Sequence, residues 1–295
     1  MVEVAAAGVN FIDIYHRQGI YPMQYPIVPG IEGAGVVIGV GEGIKYFSVG
    51  DKVSWPSVIG SYRERHVVPE NQAVPVPDEV DLEVAAALLL QGLTAHYLAT
   101  DTYPLEEGSR CLVHAGAGGV GLLLTQVAKM RGAIVITTVG SEEKAELSRQ
   151  AGADLVINYG ATDFQEAIEG VYGPKALDVV YDGVGADTFM KGLDLLRPRG
   201  TMVTFGNASG VVPDVSPLVL GSKGSLFLTR PSLSHYTATR EELLGRAEEL
   251  FTWVVDGKLQ VRIGGRYPLD KAADAHRHLE GRKTTGKLLV FPVIG

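Results

Sequence analysis

Gly116, Gly118 and Gly121 stand at the spacing G-x-G-x-x-G, directly after the apolar run Cys111-Leu112-Val113 and at the head of an amphipathic stretch, 120–131. The apolar run reads as a buried parallel strand and the stretch after it as a helix, so the glycines fall on a strand-to-helix turn. Each has a task there. One permits the tight turn, one lets a pyrophosphate approach the backbone, and one lets helix and sheet pack closely. The N-terminus of that helix, at Val120 beside Gly119, points free N–H groups and the positive end of its dipole at the phosphates. The chemistry predicted is dinucleotide binding; the alternative is a glycine turn with a structural part only.

The next strand, 134–139, ends in Gly140-Ser141. A fold that binds an unphosphorylated ribose usually places Asp or Glu at that tip, on the 2′-hydroxyl. No carboxylate sits there, and Lys144 follows in the first turn of the next helix. A cation at that place pairs with a 2′-phosphate. Its bland alternative is a solvated helix lysine. Glu142 and Glu143 speak against a 2′-phosphate; their bland reading is favourable charges at a helix N-terminus, pointing to solvent.

The elements that must position these residues form a regular series. Strands at 110–113, 134–139, 154–157, 178–181, 201–205 and 225–228 alternate with helices at 120–131, 142–151, 164–171 and 187–195. Such alternation predicts a doubly wound parallel sheet covered on both faces. Residues 1–90 are instead short β-like runs (35–40, 52–55, 65–68) broken by Gly and Pro. Two helical stretches, 82–90 and 93–100, lead out of them, and a helix at 241–255 precedes a return to β character. The fold class expected is α/β: an irregular β domain made of 1–90 and 258–295, with a cofactor domain at 91–257 inserted.

Composition narrows the partners. The chain has 295 residues and a net charge of −8, which argues against a nucleic-acid partner. The apolar run 85–90 is too short to span a bilayer, and no signal peptide is evident. The single cysteine, Cys111, can form no internal disulfide and reads as a core residue; a reducing cytoplasm is expected. The seven histidines show no metal-ligand spacing.

Several segments together resemble one family. Gly8-Val9-Asn10-Phe11-Ile12-Asp13-Ile14-Tyr15, Arg17-Gln18-Gly19-Ile20-Tyr21-Pro22, Pro29-Gly30-Ile31-Glu32-Gly33-Ala34-Gly35, the glycine turn, Val156-Ile157-Asn158-Tyr159, Asp178–Gly185 and Phe205–Gly210 are similar to quinone oxidoreductases. These are the zeta-crystallin-like, zinc-independent branch of the medium-chain dehydrogenase/reductases. The resemblance implies a discontinuous GroES-like catalytic domain, a Rossmann domain, NADPH as cofactor and a homodimer through the edge strand near 225–228. It implies that Lys144, Tyr159 and Arg282 hold the adenosine phosphate. It places the nicotinamide near Thr94, Gly183, Val184, Phe205 and Gly206. Asn10 and Tyr15 line the substrate side, with Asn10 also counted among the cofactor contacts, and Tyr21 matches a proposed proton donor of related enoyl thioester reductases; the alternative for both tyrosines is packing with bonded hydroxyls.

Zinc relatives carry Cys where this chain has Asn10 and His where it has Ile31, and no second Cys exists. Neither residue supplies a thiolate or an imidazole, so no metal site is expected. The predicted acceptor is a quinone or another conjugated carbonyl. Alternatives are an enone or enoyl (2-alkenal) reductase and a non-catalytic NADPH-binding protein. Family members also carry further residues before the position of Met1, forming the first strands of the β domain. A misassigned start, a truncation or a native short form would each account for this, and a missing strand would leave unpaired edge groups.

Overall fold

Val2–Val9 is rich in small and β-branched residues and buries its side chains on alternate positions before becoming wholly buried, which makes it an inner strand. In a computed structural model, which describes residues 1–292, it is β1 of thirteen strands among the described residues. They continue as β2 (Glu32–Val37), β3 (Lys52–Trp55), β4 (Arg65–His66), β5 (Val74–Pro75), β6 (Arg110–Val113), β7 (Ile134–Val139) and β8 (Leu155–Asn158). The last five are β9 (Leu177–Asp182), β10 (Leu196–Thr204), β11 (Phe227–Thr229), β12 (Ile263–Pro268) and β13 (Lys287–Phe291).

The chain divides into two units, Met1–Leu93 with Tyr236–Gly295, and Thr94–His235. In the first, the sheet runs β12-β13-β1-β2-β3-β5, with β4 also on β1. β13 lies antiparallel to β1, with Gly8 opposite Leu289 and Val9 opposite Leu288. The C-terminal segment thus completes the N-terminal sheet, and the register carries Lys287 to the level of Asn10. Residues 293–295 of the expected C-terminal segment lie outside the described residues.

In the second unit the order is β11-β10-β9-β6-β7-β8, with every neighbouring pair parallel. Chain order reverses between β6 and β9. That is where a doubly wound sheet opens its ligand crevice, beyond the carboxyl ends of the strands. Cys111, Leu112 and Val113 are fully buried, as a central parallel strand requires.

Three expectations change. The stretches 82–90 and 93–100 are one helix, Leu82–Tyr97, continued by a wide turn, Leu98–Thr102. Gly92 does not break it, because its missing side chain lets Leu88 and Leu250 close in: a Cβ there would lie 2.8 Å from Leu88 Cδ1 and 3.2 Å from Leu250 Cδ1. This run of 21 residues, mean hydropathy 1.3, is long and apolar enough to cross a membrane, contrary to the reading of 85–90 alone. Yet 72% of its apolar window is buried inside the fold, as in a core helix. Third, helix Arg240–Val255 belongs to the first unit, with the division at 235/236 rather than at 257. Its apolar face covers Leu243, Ala247, Leu250 and Phe251, and a helical period does not disclose which sheet it will cover.

Candidate cofactor and acceptor site

The glycine turn leaves β6 with Ala115 in the left-handed region, φ 56°. Gly116 N–H is bonded to Thr138 O on β7 at 2.9 Å. A Cβ on Gly116 would lie 2.6 Å from Thr137 Cβ, and one on Gly121 would sit 2.9 Å from Gly116 Cα. These two positions therefore admit no side chain. Gly118 differs: a Cβ there meets only Ala115 O, at 3.2 Å, so the space beside it is open. It caps helix Gly119–Met130 with extended backbone, leaving the first N–H groups of Gly119, Val120 and Gly121 for an anion. A pyrophosphate fits that cradle.

At the tip of β7, Gly140 faces the Tyr159 phenol; a Cβ would stand 2.8 Å from its hydroxyl. Ser141 caps helix Glu142–Gln150 by accepting from Lys144 N–H at 3.3 Å. Gly140, Ser141, Lys144 and Tyr159 are thus one cluster. Burial holds the Lys144 ammonium below its ordinary value, with Glu143 opposing. Glu142 is turned to Arg149, at 2.7 Å.

The loops after β9 and β10 are tied to one another. Asp182, fully buried, accepts from Val184 N–H at 2.8 Å, Gly185 N–H at 2.9 Å and Thr188 Oγ1 at 2.9 Å. A Cβ on Gly183 would meet the Phe205 ring at 3.0 Å, and one on Gly206 would come within 2.9 Å of Gly183 Cα. Arg230 donates to Thr204 Oγ1 at 3.2 Å and to Gly206 O at 3.1 Å. Gly183, Val184, Phe205 and Gly206 therefore share one face. Asp182 and Arg230 were missed by sequence reading. The signal for the first was present, since Asp before Gly-x-Gly at a strand tip favours a side-chain-capped turn; Arg230 offered none. Thr94, in the same unit, is buried.

In the first unit, Asn10 starts helix Phe11–Arg17, which also carries Asp13 and Tyr15. Its carboxamide is enclosed by Glu32 and Lys287, a buried ion pair that sequence reading did not foresee. Tyr15 is buried, and Tyr21 sets its ring edge-on against it at 5.6 Å between centroids. Asn10, Tyr15 and Tyr21 are thus neighbours in one segment. Arg282 follows helix Ala272–Glu280 at φ 52°. Around Asn10 and Ile31 stand an amide, an alkyl group, an ammonium and one carboxylate, Glu32, already paired with Lys287; a single engaged carboxylate falls short of the three protein ligands that a catalytic zinc requires. Among the described residues no group of three or more His, Cys, Asp or Glu is placed to hold a metal ion. Burial pushes the Cys111 thiol up to about 12, which leaves it inert. A cavity of about 540 Å³ among Val74, Val76, Leu244 and Phe251 contains none of these residues.

Residues 1–78 match the family described as alcohol dehydrogenase GroES-like domain, and 119–247 the one described as zinc-binding dehydrogenase. The second family's name does not extend to zinc ligands in this chain, for the reason of donor chemistry above. A quinone oxidoreductase of Pseudomonas aeruginosa is 45% identical over 99% of this chain and 90% of its own length. A 2-haloacrylate reductase of a Burkholderia species is 42% identical over 97% and 89%. The crystal structure of Escherichia coli quinone oxidoreductase complexed with NADPH is 44% identical, covers 99% of this chain and 90% of that one, and superposes with a TM-score of 0.95.

Proposed function

The chain belongs to the quinone oxidoreductase family, and from that premise we propose that it is a zinc-independent NADPH:quinone reductase. The observation that carries this reading is the built pyrophosphate cradle at Gly118 in the second unit; the polar cluster at Asn10 in the first, with one ion-paired carboxylate and no thiolate or imidazole, supports the zinc-independent part of it. NADPH, when bound, supplies the hydride. Gly116 to Gly121 hold the pyrophosphate, and Lys144, Tyr159, Arg282 and the Gly140-Ser141 backbone hold the 2′-phosphate end. Thr94, Gly183, Val184, Phe205 and Gly206 seat the nicotinamide. Asn10 contacts the cofactor on the side that Tyr15 lines for the acceptor, and the Tyr21 hydroxyl gives a proton to the developing anion. An electron-poor conjugated acceptor takes up the charge in its own π system, so no Lewis acid is required. Much of the rate comes from holding donor and acceptor in near-attack geometry.

The likeness to a 2-haloacrylate reductase favours a second reading, reduction of an activated C=C bond. Stopped-flow oxidation of NADPH by a panel of quinones, 2-alkenals and 2-haloacrylates separates the two. Quinones are expected to give at least tenfold higher kcat/KM. Oxidation by alkenals alone retires the quinone assignment, and NADPH bound but never oxidised supports a non-catalytic binding protein.

We also place the protein in the cytoplasm, as a homodimer joined along β11. That strand ends the second unit's sheet, and Phe227 on it is 60% exposed, an edge that a second copy can pair with. Phe227→Asp is expected to weaken dimerisation at least tenfold in sedimentation equilibrium. An unchanged monomer–dimer constant would remove β11 from the interface.

A further inference from the structure

Asn10 is 4% exposed, and its side chain is fully engaged on one side. Nδ2 donates to Gly8 O at 3.3 Å and to Glu32 Oε2 at 3.0 Å, which uses both of its hydrogens. Oδ1 accepts from Lys287 Nζ at 2.7 Å. The partners fix which amide atom is which, because an ammonium only donates and a carboxylate only accepts. Glu32 is itself held, Oε2 by Lys287 and Oε1 by Leu90 N–H at 2.6 Å. Both charged residues are buried, at 0% and 1% exposure. Gly8 is needed for this closeness, since a Cβ there would lie 2.6 Å from Lys287 Cε. One hydrogen-bonding capacity of the carboxamide remains, the second lone pair of Oδ1.

We propose that the Glu32–Lys287 ion pair is a positioning device that locks Asn10 as a hydrogen-bond acceptor, so that it recognises a donor group on the bound dinucleotide and not the carbonyl oxygen of the substrate. The donor is an N–H of the nicotinamide carboxamide or a ribose hydroxyl. Asn10 then orients the cofactor and gives no hydrogen bond to the developing anion, which leaves that task to Tyr21. The inference rests on the reading of Asn10 as a site residue, but the lock can be seen without it.

In the full-length 15N-labelled protein, the Asn10 side-chain NH2 signal is identified by its loss in Asn10→Ala. A locked amide exchanges with solvent at least tenfold more slowly in the wild type than in the double variant Glu32→Gln/Lys287→Met. The pair is removed together because losing one partner strands a buried charge; Glu32→Gln/Lys287→Gln, which removes both charges and keeps polar partners, serves if the first double variant does not fold. Exchange in the wild type as fast as for an exposed asparagine overturns the lock. In the double variant the Kd for NADPH is expected to rise about tenfold, with kcat changed much less. Adding Asn10→Ala to the double variant is expected to change nothing further. Reduced 3-acetylpyridine adenine dinucleotide phosphate lacks the carboxamide N–H. If the variant's defect vanishes with it, the donor is the carboxamide; if the defect persists, it is the ribose. A folded double variant with wild-type NADPH affinity overturns the positioning role, whereas a protected Asn10 amide together with normal affinity in Asn10→Ala overturns the site reading and spares the lock.

Discussion

Lys144→Glu is expected to raise the Kd for NADPH by about 100-fold and to leave that for NADH within a few-fold, as read by isothermal titration calorimetry. A hydrogen bond to a charged group contributes about 1.5–3 kcal/mol, and reversing the charge adds repulsion from the 2′-phosphate dianion. Each 1.4 kcal/mol is about a factor of ten in Kd. The local structure supports placing the effect on this residue. Ser141 caps the helix through the Lys144 N–H, so the lysine is fixed at the tip of β7 beside Gly140 and Tyr159. Glu142, the nearest substitute for a ribose-binding carboxylate, is engaged by Arg149. Burial already disfavours the ammonium, and a bound dianion would favour it. Equal losses for NADH and NADPH would show that Lys144 only supports the fold.

The contrast between what could and could not be read in advance follows from the range of each signal. The glycine turn, the strand before it and the cap at Ser141 are local, spanning a few residues, so their types and spacing specify them. β6, β7 and β9 could be placed because a parallel strand buried on both faces is a short apolar run. The Glu32–Lys287 pair joins positions 255 apart. A lysine opening a C-terminal strand reads as solvated, and only the β1–β13 register, with the gap at Gly8, buries it. Arg230 is likewise 24 residues from Gly206. The continuity of helix Leu82–Tyr97 through Gly92 shows only once Leu250 is seen packed against that glycine. Unpartnered in sequence, each of these needs the folded chain to become visible.

Asp13→Asn is expected to abolish a loss of stability that the wild type suffers as pH rises from about 4 to 7. Asp13 is 1% exposed; Oδ2 accepts from Asn10 N–H at 2.9 Å and Tyr62 O–H at 3.2 Å, and Oδ1 meets no hydrogen-bond partner. Burial pushes its carboxyl to about 7, and the Asn10 N–H, the Lys287 charge and the Tyr62 hydroxyl only partly offset this, with Glu32 adding to the rise. Tyr62 O–H in turn lies 3.2 Å from His276 Nε2, whose imidazole burial and Arg17 hold below its ordinary value against Glu280. The unfolded chain releases the Asp13 proton near the ordinary carboxylate value, whereas the native state keeps it to about 7. Below the unfolded value both states are protonated and the full stability is present. As pH rises from about 4 to 7 the unfolded state loses its proton first, so native stability is lost across that window. Three pH units at about 1.4 kcal/mol each make the loss on the order of 4 kcal/mol by pH 8. Asn does not titrate, so chemical denaturation should show the variant gaining on the wild type by roughly 3 kcal/mol between pH 5 and pH 8. A stability difference that stays constant over that range would mean that Asp13 remains ionised in the native state. Since the same helix carries Asn10 and Tyr15, a titrating Asp13 makes that segment firmest in acid, and the variant should extend its order to alkaline pH.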